Sequence, residues 1–407
     1  MTRGRVLAYG ALGLPLAFAA LPIYVHIPRF YAETTGMSLS LLGAILLGTR
    51  LFDAVIDPWL GSLADRLPQR RMLLIALLPF ALGFMALLNP SPSLATPWLV
   101  ASLILTYMGF SAASVAYQAW GACVGRHSAE RTRLTAAREG FGLAGILLAA
   151  SLPGLIASDL STGTARLAWV LPPLLLIAAF ATLAGTETPS NPSIPQAEAA
   201  SSPYAALRDA DFRRLLGVFI ANGIAGALPA TLFLFFVSDL LGTPSAGGPL
   251  LALYFLAGTG SLPLWVALAG RIGRVATWHL AMALAIAAFA GTALLGPGNI
   301  GAFAVICLAS GLALGADLAL PAAIAADLGA RRGQAGACFG IWNAVAKLNL
   351  ALAAGLALPA IELFGYRPGT EQGLGALVFA YAVLPILFKL LAALLLWRWR
   401  NSLEIRS

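Results

Sequence analysis

Residues Thr49 to Arg66 read TRLFDAVIDPWLGSLADR and place Arg50, Asp53 and Asp57 inside an otherwise apolar run. Their spacing of i, i+3 and i+7 puts them on one face of an α-helix. Two carboxylates this close do not both ionise comfortably, so the pair invites a proton or a small cation. The plain alternative is an ion pair, with Arg50 neutralising one carboxylate and locking its helix to a neighbour. That alternative leaves the second carboxylate without an assigned partner. The pair is thus expected to form a cation site at Asp53 and Asp57, for a proton or a monovalent metal cation, with Arg50 beside it.

Lys347 is a second charge deep in an apolar run, roughly 16 Å from either end of its helix at the helical rise. Its expected role is that of an alternative partner for Asp53 or Asp57 when no cation is bound, or of a static salt bridge to Asp317 on the preceding helix. Lys389 lies within two turns of a helix end and reads as snorkelling to the interface. GFGLAG, with Gly140, Gly142 and Gly145, matches a dinucleotide-binding pattern but follows no strand, so it reads as a helix-packing surface, as do Gly311 with Gly315 and Gly336 with Gly340. No Gly precedes Lys347 or Lys389, which excludes a P-loop. Cys123, Cys307 and Cys338 sit in or at apolar runs as small hydrophobes and imply neither disulfides nor a metal framework. His26, His127 and His279 are far apart, and no nucleophile-base pattern suggests an enzyme.

The elements that must carry these residues follow from composition. Of 407 residues, 59% are hydrophobic and 10% charged, and the mean hydropathy is +0.85. Such a chain lies in the bilayer. Apolar runs of helix-spanning length recur near 6–28, 38–60, 72–88, 97–124, 135–157, 167–185, 212–241, 248–270, 276–295, 300–326, 336–361 and 373–397, which predicts twelve transmembrane helices. Arg3, Arg5 and the small residues at 17–19 imitate a signal peptide, but the run continues to Pro28 and further spans follow. Loops expected on one side hold only Arg29, Arg166 and Arg367. The opposite side holds Arg3 and Arg5, Arg66 to Arg71, Arg126 to Arg133, Arg208 to Arg214, Arg271 and Arg274, Arg331 and Arg332, and Arg398, Arg400 and Arg406. By the positive-inside rule both termini are expected in the cytoplasm. The net charge of +8 is then a matter of topology, and no nucleic-acid partner is expected.

GTETPSNPSIPQAEAASSP separates helices six and seven and reads as a flexible linker. The expected organisation is a six-helix half at 1–185, a cytoplasmic linker at 186–211 and a second six-helix half at 212–407. Pro58 followed by Leu63, Ala64, Asp65 and Arg66 recurs as Pro263 followed by Leu268, Ala269, Gly270 and Arg271. A repeated six-helix unit with a midplane site between the repeats is the architecture of a secondary transporter. The second copy has Gly258 for Asp53 and Leu262 for Asp57, so the fold does not demand those charges. A mid-membrane Asp or Arg costs at least about 2.5–3.5 kcal/mol, which makes a functional reading the default.

Three stretches carry a resemblance: RLFDAVIDPWLGSLADR at 50–66, AYQAWGACVGRHSAERTRLTAAREGFGLAG at 116–145 and GACFGIWNAVAKLNLALAAG at 336–355. With them the chain resembles the glycoside-pentoside-hexuronide:cation symporters, the melibiose/cation symporter group of the major facilitator superfamily (MFS). The resemblance implies an all-α membrane fold of twelve helices in two pseudo-symmetric halves. It makes Asp53 and Asp57 the cation carboxylates, Arg50 their companion and Lys347 the helix-eleven lysine. Gly61, Asp65, Arg66, Arg70 and Arg71 resemble the superfamily's loop 2–3 signature, which implies a conformational role. The departures lie in the sugar half. Pro15 and Ser114 stand where the melibiose carriers have sugar-binding carboxylates, Gln118 stands for the stacking aromatic beside Tyr117 and Trp120, and Ile56 replaces an Asn next to the cation carboxylates.

The expected function is cation-coupled secondary transport by alternating access, driven by H⁺ or Na⁺ and without a cofactor. The expected setting is a monomer in the inner membrane. Ser114, Tyr117, Gln118, Trp120 and Asp317 are candidates for a substrate cavity that takes a small solute. The loss of the sugar-binding carboxylates keeps open a lysolipid or other amphiphile as substrate, and a non-transporting sensor or scaffold is the rival from another class.

Overall fold

The computed structural model describes residues 1–157, 160–186 and 202–404. Residues 187–201 of the expected linker, and Arg406, lie outside the described residues. The described residues form helices and no strand, because a backbone in hydrocarbon must satisfy its own hydrogen bonds. The first spanning helix is α1, Arg3–Leu21. A π-helical turn, Pro22–His26, continues it into Ile27–Thr35, where Gly36 at φ 69° ends the run. The helix thus extends beyond its expected end at 28. Next come α2, Leu39–Arg66, α3, Gln69–Leu87, and α4, Ala95–Val124. The first six end with α5, Ser128–Ile156, and α6, Leu160–Gly185. The second six are α7, Ala210–Phe235, α8, Gly247–Ile272, α9, Arg274–Ala290, α10, Ile300–Arg331, α11, Ala335–Leu363, and α12, Leu374–Arg398.

Among the described residues, eleven helices are long and apolar enough to cross a membrane. The twelfth is α2, whose 28 residues rise about 42 Å but carry Arg50, Asp53, Asp57, Asp65 and Arg66. The repeat extends to the elements: Gln69 and Arg274 open α3 and α9, and Ala95 and Ile300 open α4 and α10, each pair 205 residues apart. Pro58 and Pro263 sit inside α2 and α8 at the same separation. Each proline removes one N–H from the helical ladder, so the carbonyl of Ala54, next to Asp53, loses its helical donor.

The chain forms two compact units. One comprises Met1–Arg208 together with Ala325–Ala344, and the other comprises Asp209–Ile324 together with Val345–Ser407. Phe18, Tyr31, Phe80 and Phe84 are fully enclosed in the first. In the same unit, a Cβ at Gly145 would strike the carbonyl of Leu14, so GFGLAG brings α5 against α1 as a packing surface. In the second unit Phe236 stacks on Tyr381 with ring centroids 4.1 Å apart. There Gly311 lets α10 approach the carbonyl of Tyr254 on α8.

Candidate functional site

Asp53 and Asp57 are 1% and 0% exposed, and burial of both carboxylates on one face of α2 is what their spacing demands. Arg50, one turn earlier, is half-buried. From α4, Ser111 Oγ donates to Asp53 Oδ1 at 2.6 Å. A hydroxyl bonded to a carboxylate keeps a lone pair available, so Ser111 is equipped to stabilise the ionised acid or to add an oxygen ligand for a cation. The sequence reading did not single out Ser111. The available signal was its position one helical turn before Ser114.

Ser111, Ser114 and Gln118 fall at i, i+3 and i+7 and form one stripe along α4. Ser114 is buried, and Gln118 Oε1 is buried without a hydrogen-bond partner among the described residues. Tyr117 and Trp120 lie on a different face, turned to α1. The Tyr9 hydroxyl donates to the carbonyl of Tyr117 at 2.9 Å, and the Tyr117 hydroxyl donates to the carbonyl of Tyr9. The Trp120 ring meets Tyr9 edge-on with centroids 6.4 Å apart, and its Nε1 has no hydrogen-bond partner among the described residues. Beside this pair, α5 contributes Arg138 and Glu139, which form an ion pair. Arg138 and Glu139 were also missed, although they stand in a stretch that carries the resemblance.

At the end of α2 the backbones come close enough to exclude side chains. A Cβ at Gly61 would run into the carbonyl of Gly336, and one at Gly340 would lie 2.5 Å from the carbonyl of Asp57. Gly336 and Gly340 are thus the surface on which α2 rests, which is why 325–344 belongs with the first unit. Asp65 then caps α11: its Oδ1 accepts from Gly336 N at 2.6 Å and its Oδ2 from Ala337 N at 2.8 Å. Here a carboxylate meets the positive end of the helix dipole. Arg70 is half-buried, and Arg66 and Arg71 are exposed. A second clasp was not anticipated. Asp327 at the end of α10, 1% exposed, accepts from Arg131 Nη1 at 2.7 Å and from Ser128 Oγ at 2.6 Å.

In the second unit the structure corrects two sequence readings. Asp317 pairs with Lys389, not Lys347, and it also accepts from Trp278 Nε1 at 2.9 Å. Lys389 does not snorkel: it is 7% exposed and donates to Asn222 Oδ1 at 2.7 Å. An ammonium with partners inside the helix bundle gains more from them than from reaching towards the interface. Lys347 lies half-buried on α11. Cys307 and Cys338 are buried as expected, whereas Cys123 is exposed.

Among the described residues, helices of membrane-spanning length in two sets repeated at 205 residues, with charged residues buried inside them, have the architecture of a secondary transporter of the major facilitator class. The family model described as MFS/sugar transport protein matches residues 6–401, and the chain belongs to that family. Among curated proteins it is similar to an uncharacterised symporter of Synechocystis sp., at 30% identity over 168 residues, 38% of this chain and 31% of that protein. An uncharacterised symporter of Bacillus subtilis is 28% identical over 175 residues, 40% of this chain and 37% of the relative. The chain thus spans about a third of the length of the curated relatives it matches. The fold is similar to that of the fucose:proton symporter of E. coli, with TM-score 0.73, 16% identity and 97% and 98% of the two chains covered. It is also similar to that of the human organic anion transporter MFSD10, with TM-score 0.72, 18% identity and 97% and 100% covered.

Proposed function

We propose that this transporter is a cation-coupled symporter, in which a proton or sodium ion binds at Asp53 and Asp57 and drives a small solute through alternating access. One observation carries the reading: two carboxylates fully enclosed in α2, one of them held by Ser111, where the repeat has Gly258 and Leu262. Retaining two such groups in a membrane helix is costly unless they bind something. Arg50 is the local counter-charge when the cation is absent, and Lys347 sets the affinity of the site. The polar stripe Ser111, Ser114 and Gln118 runs from the cation carboxylates along α4 and gives a solute hydrogen-bonding groups adjacent to the coupling ion.

Asp65 on the end of α11 and Arg131 on Asp327 are the contacts that break and re-form in the transport cycle. The proposed setting is a bacterial inner membrane, with both termini cytoplasmic and a monomer as the working unit. Within the superfamily the glycoside-pentoside-hexuronide:cation symporters are the proposed subfamily, with a solute other than a galactoside because Pro15 and Ser114 replace the sugar-binding carboxylates.

Purified protein in liposomes with an imposed proton or sodium gradient tests the coupling, using labelled glycosides and lysolipids as probes. Uphill uptake of a probe that follows one gradient, and that is lost in Asp53→Asn and Asp57→Asn, is the expected result. Undiminished uphill uptake by both variants would overturn the assignment.

A further inference from the structure

The first helix is interrupted where its counterpart in the second set is continuous. Within α1 the segments Arg3–Gly10 and Gly13–Leu21 are separated by Ala11 and Leu12, whereas α7 runs without a break from Ala210 to Phe235. The sequence supplies the cause. Pro15 has no N–H for the carbonyl of Ala11, and its ring crowds that carbonyl. Leu14 N reaches the Ala11 carbonyl instead, at 3.2 Å. An aspartate at this position, as in the resembled melibiose carriers, would return the N–H to the ladder.

Side chains of two other helices take up what the interruption releases. In an unbroken helix the carbonyls of Ala8 and Tyr9 accept from the amides of Leu12 and Gly13. Here Ala8 accepts from Thr182 Oγ1 of α6 at 2.9 Å, and Tyr9 accepts from the Tyr117 hydroxyl of α4. The Tyr9 hydroxyl donates in return to the carbonyl of Tyr117. Tyr9, Tyr117 and Thr182 are all buried. A broken helix is tolerated in hydrocarbon only where neighbours satisfy the freed groups, so these hydroxyls both permit the break and fix its angle. The approach is close on both sides: a Cβ at Gly13 would strike the carbonyl of Arg138, and one at Gly121 the hydroxyl of Tyr9. Beside Tyr9, Trp120 Nε1 is buried without a hydrogen-bond partner among the described residues. A buried donor left unmade is costly, so the packing around Tyr9 gains from a shift that brings this N–H an acceptor.

We propose that the interruption at Ala11 and Leu12 is a hinge on which Arg3–Gly10 swings against Gly13–Leu21, and that the paired hydroxyls of Tyr9 and Tyr117 are the latch that holds it in the arrangement of this structure. A few positions that absorb a backbone change are enough for such a movement. The proposal takes the alternating access of the reading above as its setting and adds the place at which α1 bends.

The test measures one distance in the full chain, purified, with Cys123, Cys307 and Cys338 changed to Ser. Spin labels are placed at Arg3→Cys, at the start of α1, and at Arg71→Cys, near the start of α3, where both native side chains are exposed. Double electron–electron resonance should give a main and a minor distance. Tyr117→Phe should raise the minor population roughly three- to tenfold, the worth of one hydrogen bond. Pro15→Ala repairs the ladder and should abolish that population. A distribution that neither substitution changes, or that both change in the same direction, overturns the proposal. Thr182 Oγ1 also lies 3.5 Å from the carbonyl of Tyr9, which limits the cost of losing the Tyr117 hydroxyl and keeps that variant folded. Hydrogen exchange is the second measurement: amides 11–14 should exchange faster in Tyr117→Phe and slower in Pro15→Ala, with those of α3 unchanged. Equal rates in all three proteins overturn the hinge as well. Neither measurement needs a solute or an ion gradient, so failure of the hinge is distinct from failure of the coupling reading, which shows in transport by the Asp53 and Asp57 variants.

Discussion

The bond from Ser111 to Asp53 separates two coupling ions by one substitution. A hydrogen bond to a charged partner contributes about 1.5–3 kcal/mol. If the ion is a proton, Ser111→Ala changes the pH dependence of uptake and no sodium dependence is seen. If the ion is sodium, the same change removes an oxygen ligand and weakens the apparent sodium affinity roughly tenfold or more. Uptake measured against pH and against sodium tells the two apart, and no change in either would remove Ser111 from the site. Lys347→Ala is expected to alter the same cation or pH dependence more than the apparent affinity for solute. Reduced expression with normal titration of the surviving protein would mark Lys347 as structural.

At the scale of elements, the resting place of α2 on α11 depends on glycine. Because a Cβ at Gly340 would lie 2.5 Å from the carbonyl of Asp57, Gly340→Ala must push the helices apart or strain them. Overpacking of this kind costs about 1–3 kcal/mol. The expected outcome is a lower unfolding temperature together with altered cation dependence, since the displaced backbone belongs to Asp57 itself. Asp65→Ala removes the cap from Gly336 and Ala337, a loss of about 0.5–2 kcal/mol. Hydrogen exchange at the start of α11 should rise in that variant while exchange in α3 is unchanged. Equal protection in both proteins would show that Asp65 contributes nothing to the helix end.

For the whole molecule, the arginine distribution makes an orientation testable. Arg71 and Arg367 are both exposed and fall on opposite sides by loop charge. In a Cys123→Ser background, Arg71→Cys should react with a membrane-impermeant maleimide only in inverted vesicles. Arg367→Cys should react only in vesicles of native orientation. Reaction of both from the same side would reject the twelve-span topology with cytoplasmic termini.

The sequence by itself determined the class of fold. The lengths and apolarity of its runs, the Pro58 and Pro263 repeat and the charges confined to alternate loops are local properties that hydrocarbon solvent reads directly. It also marked Asp53 and Asp57, because charges are conspicuous where burial is obligatory. Only the tertiary structure decided the partners. Ser111 reaches Asp53 across two helices, Asp65 meets backbone N–H groups 271 and 272 positions away, and Lys389 turns inward to Asn222 and Asp317. In a chain this apolar, helix periodicity is masked because nearly every face is hydrophobic. Which face a Ser, Lys or Trp presents, and to which neighbour, is therefore set by packing between helices distant in sequence, where small residues such as Gly61, Gly336 and Gly340 permit the closest approach.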